Sequence, residues 1–353
     1  MNLLLNPDNR LFELARTGKR LPHIILVIVL TFVFIIAAQI VGGIPAIIIV
    51  GGLSMLGGEP RLLDDQAALL RLLQPDTALE QTVMLVLSFG PIFLILWAWL
   101  ALFEKRPLWT IGLERAAAGK KYVRGLLIGL AMFVAAVGLS ALFGFVSFEA
   151  GDPQQQGLAA LGGVLLVFLG WMVQGAAEEA LARGWILPTI GARYKPVWGL
   201  VVSSVIFALL HSLNPSLNPV AIINLFLFGV FTVLFALYDG GLWGVFSIHT
   251  AWNWAQGNLF GFEVSGMLPP GGTLFNLMEV GPDVITGGSF GPEGGLAVTA
   301  VLIVSCVLVW AVSRRRTASL PSLEPQSGNF LDRDSSPGGQ PVPADLPPDK
   351  PAS

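Results

Sequence analysis

The sequence predicts an all-α polytopic membrane protein with about eight transmembrane helices and both termini in the cytoplasm. This prediction rests on three observations: the composition, the length of the apolar runs and the distribution of basic residues. Of the 353 residues, 54% are hydrophobic and 12% are charged, and the mean hydropathy is +0.72. The charged share is about half that of soluble proteins, so this chain cannot cover a soluble surface. A nucleic-acid-binding protein, a disordered chain and a disulfide-linked secreted domain are excluded as well, and Cys306 is the only cysteine.

Eight apolar runs predict the helices, since crossing a bilayer takes about 20 residues. They cover residues 22–50, 83–103, 124–147, 158–182, 196–212, 219–238, 241–261 and 296–312. The first run is longer than a crossing needs, and Gly42, Gly43 and Pro45 are expected to break or tilt it. This run is also too long for a cleaved signal peptide. The fifth run is short for a crossing.

The basic residues divide the loops into two groups, because Lys and Arg collect on the cytoplasmic side of membrane proteins. Assigning alternate loops to the cytoplasm places 18 of the 20 Lys and Arg inside and only Arg61 and Arg71 outside. If one span were miscounted, the basic residues would no longer separate onto one side of the membrane. It therefore predicts eight spans with cytoplasmic termini, and the membrane is expected to be a bacterial inner (plasma) membrane.

Composition divides the chain into five parts. These are a cytoplasmic arm, N-terminal helices with their loops, a motif-bearing core, a non-cytoplasmic loop with the last helix, and a tail, over 1–21, 22–157, 158–262, 263–312 and 313–353. The tail is rich in Pro, Ser, Gly and Asp, which is typical of disorder. Residues 104–123 mix apolar and basic side chains and are expected to lie along the cytoplasmic interface.

Few strongly polar side chains fall inside the predicted spans, and an ionisable group inside a bilayer is a functional-site hypothesis by default. Of the 23 acidic residues, only the neighbours Glu178 and Glu179 fall inside the predicted spans. His211 and His249 lie in the fifth and seventh spans. Asn253 follows His249 by four residues, so the two share a helix face. If the spans pack as a bundle, these side chains can converge on one wet cavity.

The two neighbouring glutamates have different local partners. Glu179 and Arg183 are four residues apart, which suits an ion pair within one helix and favours a structural role. Glu178 points about 100° away and has no cation at helical spacing, which suits a carboxylate that transfers protons. Three further amides in the spans are expected only to join helices: Gln174, Asn224 and Gln256.

A glutamate, two histidines and an asparagine suit hydrolysis of a peptide bond by activated water. Glu178 and His211 can deprotonate the water, and one of them can then protonate the leaving amine. His249 and Asn253 present N–H donors, as an oxyanion site requires. No nucleophile is evident, because Cys306 is far along the chain from these four residues and no Ser is expected in a Gly-x-Ser-x-Gly elbow. The same glutamate and histidines could instead bind zinc, although no His-Glu-x-x-His pattern indicates it.

Three short segments resemble the motifs of the CAAX protease and bacteriocin-processing family, also called CPBP or Abi. EEALAR, residues 178–183, resembles its EExxxR motif. FALLH, which begins at Phe207, resembles FxxxH, and HTAWN, which begins at His249, resembles HxxxN. Each motif alone is weak, but three in this order, each on a predicted span, are specific. The resemblance covers roughly residues 160–260.

The resemblance implies an intramembrane endopeptidase related to the type II CAAX prenyl proteases. It assigns water activation to Glu178 and His211 and the oxyanion site to His249 and Asn253. It also implies that three residues support the site: Glu179, Arg183 and Phe207. We expect no cofactor, because Asn is a poor zinc ligand and a good N–H donor. In the zinc-dependent alternative, the ligands would be Glu178, His211 and His249.

The expected partners are the lipid bilayer and a membrane-associated peptide or protein, such as a CAAX-type C-terminus or a leader peptide. Arg183 ends the fourth predicted span, so the substrate is expected at the cytoplasmic leaflet. Two other classes stay open. One is a non-catalytic immunity or scaffold protein with the same fold, and the other is a transporter whose buried Glu and His relay protons. A transporter often has two halves with matching broken helices, which are not evident in this sequence.

Overall fold

The protein is a helical bundle with one small sheet in the computed structural model, which describes residues 4–56 and 74–318. The helices of the first half are α1 (Arg10–Arg16), α2 (Ile24–Ala38), α3 (Ile44–Leu56), α4 (Ala78–Phe89), α5 (Pro91–Trp99) and α6 (Ala118–Leu142). Those of the second half are α7 (Leu161–Glu179), α8 (Leu187–Arg193), α9 (Pro196–Leu210), α10 (Pro219–Asp239), α11 (Trp243–Trp254), α12 (Asp283–Thr286) and α13 (Leu296–Ala318). Most of the predicted tail, residues 319–353, lies outside the described residues.

Short π-helical segments continue several of these helices into longer rods. Within the described residues they are Gln39–Gly43, Leu100–Glu104, Ala180–Ile186 and Ala255–Leu259. The break predicted at Gly42 and Gly43 is therefore a widened helical turn between α2 and α3. The segment Ala180–Ile186 directly follows the paired glutamates of the first motif. Such π turns often occur at functional sites, because they shift the direction of the side chains around them.

Six helices in the described residues are long and apolar enough to cross a membrane. They are Ile24–Met55, Ala78–Glu104, Ala118–Leu142, Gly157–Arg193, Pro219–Asp239 and Leu296–Arg315. This confirms a helical integral membrane protein. The fifth and seventh predicted spans form the shorter helices α9 and α11, so the count of eight is not confirmed. The cytoplasmic position of the termini and the bacterial plasma membrane stay predictions.

The expectation of a purely helical chain is wrong in one detail. Strand β1 (Val146–Phe148) pairs antiparallel with β2 (Leu277–Glu279), with Val146 opposite Glu279. The third predicted span reached residue 147, but α6 ends at Leu142. Gly144 adopts a left-handed φ of 75°, which ends the helix and turns the chain into the strand.

Hydrogen bonds between loops define a basic face of the bundle, formed by residues 4–23, 105–117, 194–195 and 240–242. The Lys19 amide donates to the Glu104 carbonyl (2.8 Å) and the Leu242 amide donates to the Gly112 carbonyl (3.0 Å). Part of the segment 104–123 is packed into this face, since Arg106 and Ile111 are buried, whereas Trp109 and Arg115 are exposed. Its Glu104 and Arg106 form a fully buried ion pair (2.7 Å), which only a packed environment provides.

The opposite end of the bundle is an acidic face, formed by residues 74–77, 143–160, 211–218 and 260–295. The Gly157 amide donates to the Thr273 carbonyl (3.0 Å), and Asn218 Nδ2 donates to the Gly287 carbonyl (3.3 Å). The described residues of this face include no Lys or Arg. Its acidic side chains are Asp76, Glu149, Asp152, Glu263, Glu279, Asp283 and Glu293. The two ends of the bundle therefore differ strongly in charge.

Two glycines allow α11, which carries the third motif, to pack closely between α6 and α7. A Cβ atom added at Gly129 of α6 would lie 2.5 Å from the Ile248 carbonyl oxygen. One added at Gly175 of α7 would lie 3.0 Å from the Thr250 amide nitrogen. Larger residues would force the helices apart. The backbone around His249 is thus held from both sides.

We expect Glu279 to make stability depend on pH. Burial and the charges of Glu263 and Asp283 raise the pKa of its carboxyl to about 8, from an ordinary value of 4.5. The folded protein keeps this proton at pH values where the unfolded chain loses it, so stability falls as pH rises through that window. Glu279→Gln should therefore raise the thermal midpoint, relative to the parent, more at pH values near 8 than below 5.

Thermal unfolding in detergent across this pH range measures the effect. Glu149→Gln is the matched control, because Glu149 is exposed and directly follows the paired strand. Its offset from the parent protein should not change with pH. An offset for Glu279→Gln that is equally independent of pH would contradict the assignment.

Candidate active site

The first motif lies where α7 passes into the π-helical segment Ala180–Ile186. Glu178 and Glu179 are the last two residues of α7, and Arg183 lies in the π segment. The side chains of Glu179 and Arg183 are fully buried, whereas that of Glu178 is 18% exposed. The two neighbouring carboxylates therefore occupy different environments, as their local spacing predicts.

A cavity of about 800 Å³ lies between the helices that carry the three motifs. Five of the seven predicted site residues line it: Glu178, Phe207, His211, His249 and Asn253. Helices α7 and α11 contribute the glutamate, the second histidine and the asparagine. The first histidine directly follows α9, as its C-cap. Residues far apart in the sequence thus line the same cavity.

The glutamate and the two histidines form a small open triangle. Glu178 Oε2 lies 3.9 Å from His211 Nε2 and 3.9 Å from His249 Nε2. These separations are too long for direct hydrogen bonds. Glu178 Oε2 is buried and makes no hydrogen bond within the described residues. A water molecule between the three atoms would satisfy this oxygen.

The contacts of the other ring nitrogens determine how the two histidines face the glutamate. His211 Nδ1 lies 2.8 Å from the Phe207 carbonyl oxygen, which can only accept, so Nδ1 carries a proton. His249 Nδ1 lies 3.1 Å from Glu179 Oε1 and donates to that carboxylate in the same way. Both Nε2 atoms are therefore directed toward Glu178.

Glu179 and Arg183 hold this arrangement from behind. Arg183 Nη1 donates to Glu179 Oε1 (3.1 Å), the oxygen that also receives His249 Nδ1. The Arg183 guanidinium lies over the Phe207 ring, 4.4 Å from its centre. The ion pair thus links the first motif to the second and third motifs, and it does not line the cavity.

Gln174 connects two of the predicted site residues, Glu178 and Asn253. The sequence analysis does not predict this connection. Its Nε2 donates to Glu178 Oε1 (2.6 Å), and its Oε1 accepts from Asn253 Nδ2 (2.9 Å). The prediction that Gln174 only joins helices is therefore incomplete. A signal was present, because Gln174 precedes Glu178 by four residues and so shares its helix face.

Glu293 is a second residue of the site that the sequence does not predict, because its position indicates only an acidic residue in a loop. It is 9% exposed and lines the same cavity. Its carboxylate accepts from the Ser265 amide (3.1 Å), the Ser265 hydroxyl (2.7 Å) and Trp252 Nε1 (3.2 Å). Burial raises the pKa of Glu293, although these hydrogen bonds and the nearby histidines lower it in part. No local spacing connects Glu293 to the motifs.

Other polar residues lie apart from the triangle. Asn224 Oδ1 accepts from the Thr299 hydroxyl of α13 (2.7 Å), so Asn224 joins two helices as predicted. Gln256 Nε2 donates to the Glu263 carbonyl of the following loop (2.5 Å) rather than to another helix. The expectation that no Ser lies in a Gly-x-Ser-x-Gly pattern is wrong, because Ser289 lies in a Gly-Gly-Ser-Phe-Gly stretch. Ser289 is exposed and Cys306 is partly buried. Both lie outside the cavity lining, so neither can act there.

The helical rod that carries the first motif continues beyond Arg183. It ends at Arg193, whereas the fourth predicted span ends at residue 182. Glu179 neutralises Arg183, which allows the guanidinium to lie fully buried inside the bundle. Arg183 alone therefore does not fix the position of the site relative to the cytoplasmic leaflet, which stays a prediction.

The motif-bearing segment is similar to a known protease family. Residues 160–255 match the family described as Rce1-like, type II CAAX prenyl endopeptidase Rce1-like. The matched residues include all three motifs and both histidines. No curated protein and no solved structure matches the chain. Residues 160–255 therefore form an Rce1-like type II CAAX prenyl endopeptidase domain, which places this segment in the CAAX protease family.

Proposed function

We propose that this protein is an intramembrane endopeptidase in which Glu178 and His211 activate a water molecule for peptide hydrolysis. The observation that carries the proposal is the open triangle, with one unpaired carboxylate oxygen 3.9 Å from two imidazole nitrogens. A water molecule bound there lies beside two proton acceptors. General acid–base groups placed in this way contribute roughly 10²- to 10⁴-fold to a rate.

The proposed reaction begins with transfer of a water proton to Glu178, while His211 Nε2 orients the water. The water oxygen then bonds to the carbonyl carbon of the scissile peptide, and the carbonyl oxygen becomes negatively charged. Breakdown of this intermediate breaks the C–N bond. The proton held by Glu178 passes to the leaving nitrogen, so the carboxylate is regenerated and one acid and one amine are released.

His249 and Asn253 are placed to stabilise the negatively charged oxygen. Asn253 uses one amide hydrogen on Gln174, and its second hydrogen is available to the oxyanion. His249 Nε2 donates when the ring carries two protons, and the carboxylates of Glu178 and Glu179 lie beside it to balance that charge. Donors fixed before the reaction need no reorganisation when the charge forms.

Gln174 is expected to support both halves of this site. Gln174→Leu removes the donor to Glu178 and the acceptor for Asn253. Hydrogen bonds to charged groups contribute about 1.5–3 kcal/mol, so kcat should fall by about 10- to 100-fold. Steady-state cleavage assays with the purified variants measure this change in kcat. Gln81→Leu is the control, because Gln81 also lines the cavity but forms no hydrogen bond with the described residues of the three motifs. Unchanged kcat in Gln174→Leu would contradict the role.

The zinc-dependent alternative needs three side chains that can share one ion. Within residues 4–56 and 74–318, no three His, Cys, Asp or Glu side chains are arranged to hold a metal. We propose the metal-free mechanism because the Asn253 amide is a poor zinc ligand and a good N–H donor. We expect cleavage to persist after dialysis against a strong chelator, measured alongside the metal content of the protein. Loss of cleavage that zinc restores would overturn the metal-free mechanism.

Purified protein incubated with two kinds of peptide tests the function itself. One is a prenylated CAAX peptide, and the other is a reporter peptide with a transmembrane segment. Mass spectrometry should identify a single internal cleavage in at least one of them. Binding without cleavage of either peptide would favour a non-catalytic protein, and proton-coupled uptake into liposomes without cleavage would favour a transporter.

A further inference from the structure

The loops that line the cavity all belong to the acidic face. They contribute residues 74–75, 214–215 and 264–270, together with Glu293. Met267 and Leu268 of this set are also 57% and 66% exposed. These two side chains thus form part of the cavity wall and also reach the outside of the molecule. The mouth of the cavity is therefore at the acidic face.

The other end of the cavity is closed. None of the described residues in the basic-face loops lines it. Ile186 is the lining residue nearest the end of its helix, and it is fully buried beside Trp185. Trp185 Nε1 donates to Glu104 (2.7 Å), which also pairs with Arg106. This packed layer separates the triangle from the basic face.

The charges of the two faces indicate how the bundle lies in the membrane. The sequence contains 20 Lys and Arg residues. Only two of them, Arg61 and Arg71, belong to loops that connect helix ends at the acidic face. Arg183 is buried and takes no part in this comparison. Lys and Arg concentrate in cytoplasmic loops, so the basic face belongs in the cytoplasm and the acidic face on the opposite side.

We propose that the catalytic cavity opens to the non-cytoplasmic side of the membrane and takes its substrate from there. This inference rests on the proposed function and specifies its substrate. The cavity wall is mostly apolar, with Trp171, Leu225 and Phe228 beside the polar triangle. The substrate is thus an apolar peptide segment of a membrane-inserted or translocated protein, and a lipidated C-terminus confined to the cytoplasm is not one.

Cysteine labelling tests the orientation without any need for activity. In a Cys306→Ser background, Leu213→Cys places a thiol on the acidic face, where Leu213 is 94% exposed. Ala116→Cys places one on an exposed part of the basic face. A membrane-impermeant maleimide added to intact cells should label the first variant, and should label the second only after permeabilisation. The reverse pattern would overturn the proposal.

A second measurement connects the orientation to cleavage. Met267→Cys in the same background places a thiol at the cavity mouth. A bulky impermeant maleimide should reduce cleavage of the transmembrane reporter peptide at least tenfold in right-side-out vesicles and have no effect in inside-out vesicles. Inhibition only in inside-out vesicles would overturn the inference. If the parent protein without the Met267→Cys change cleaves nothing, the proposed function fails, and the labelling pattern still decides the orientation.

Discussion

Glu178→Ala is expected to lower the rate of peptide cleavage by about 10³-fold or more, the range typical of a lost general base. Glu178 carries the only carboxylate oxygen of the triangle, and this oxygen lies 3.9 Å from both Nε2 atoms. His211→Ala should cause a loss of similar order, because the water would keep only one of its two partners. Cleavage of the reporter peptide by purified, monodisperse variants measures both effects.

Two controls separate a lost reaction from a damaged fold. Glu149→Gln changes an exposed acid of the acidic face, and His23→Ala changes a histidine whose Nδ1 caps α2 by accepting from the Leu26 amide. Both side chains lie outside the cavity, and both variants should cleave normally. If folded Glu178→Ala retained more than about a tenth of the parent rate, Glu178 would not be the base.

Arg183→Met is expected to have the largest effect on stability. It leaves the Glu179 carboxylate fully buried without its guanidinium partner. Removing one member of a buried ion pair costs about 3–5 kcal/mol, a large part of the stability of most folded proteins. The variant should be recovered in low yield, with a clearly lower thermal midpoint, and cleavage should fall because His249 loses its fixed orientation.

A double-mutant cycle distinguishes an uncompensated charge from lost packing. Glu179→Gln combined with Arg183→Met leaves no unpaired charge, so the double variant should be more stable than Arg183→Met alone. Arg115→Ala, which removes an exposed arginine of the basic face, should leave yield and midpoint unchanged. An Arg183→Met variant with the parent's midpoint would show that the ion pair is unimportant for the fold.

The sequence alone was sufficient to predict a helical membrane protein and to select four polar residues that line one cavity. Apolar runs of bilayer length leave little choice but helices, because backbone polar groups inside a membrane must be satisfied within the same segment. Ionisable side chains are costly there, so Glu178, His211 and His249 stand out among residues selected for hydrophobicity. The family match over residues 160–255 agrees with this interpretation.

Predictions that depend on the position of a residue along a helix are less complete. The sequence predicts that a span ends at Arg183, because a charge normally ends an apolar run, but the helical rod continues to Arg193. The spacing also indicates the ion pair with Glu179, but its complete burial and the contact of Arg183 with Phe207 depend on packing, which spacing does not show. The short helix α9 and strand β1 likewise depend on the turns that follow Leu210 and Leu142.

Sequence by itself determined which side chains were out of place in a membrane, because the cost of burying a polar group depends on its chemistry and on the apolar run around it. Only the tertiary structure decided what those side chains contact. Gln174 bridging Glu178 to Asn253, and Glu293 reaching the cavity wall, require helices and loops distant in sequence to meet. Such contacts arise from the packing of the whole bundle, which no local pattern contains.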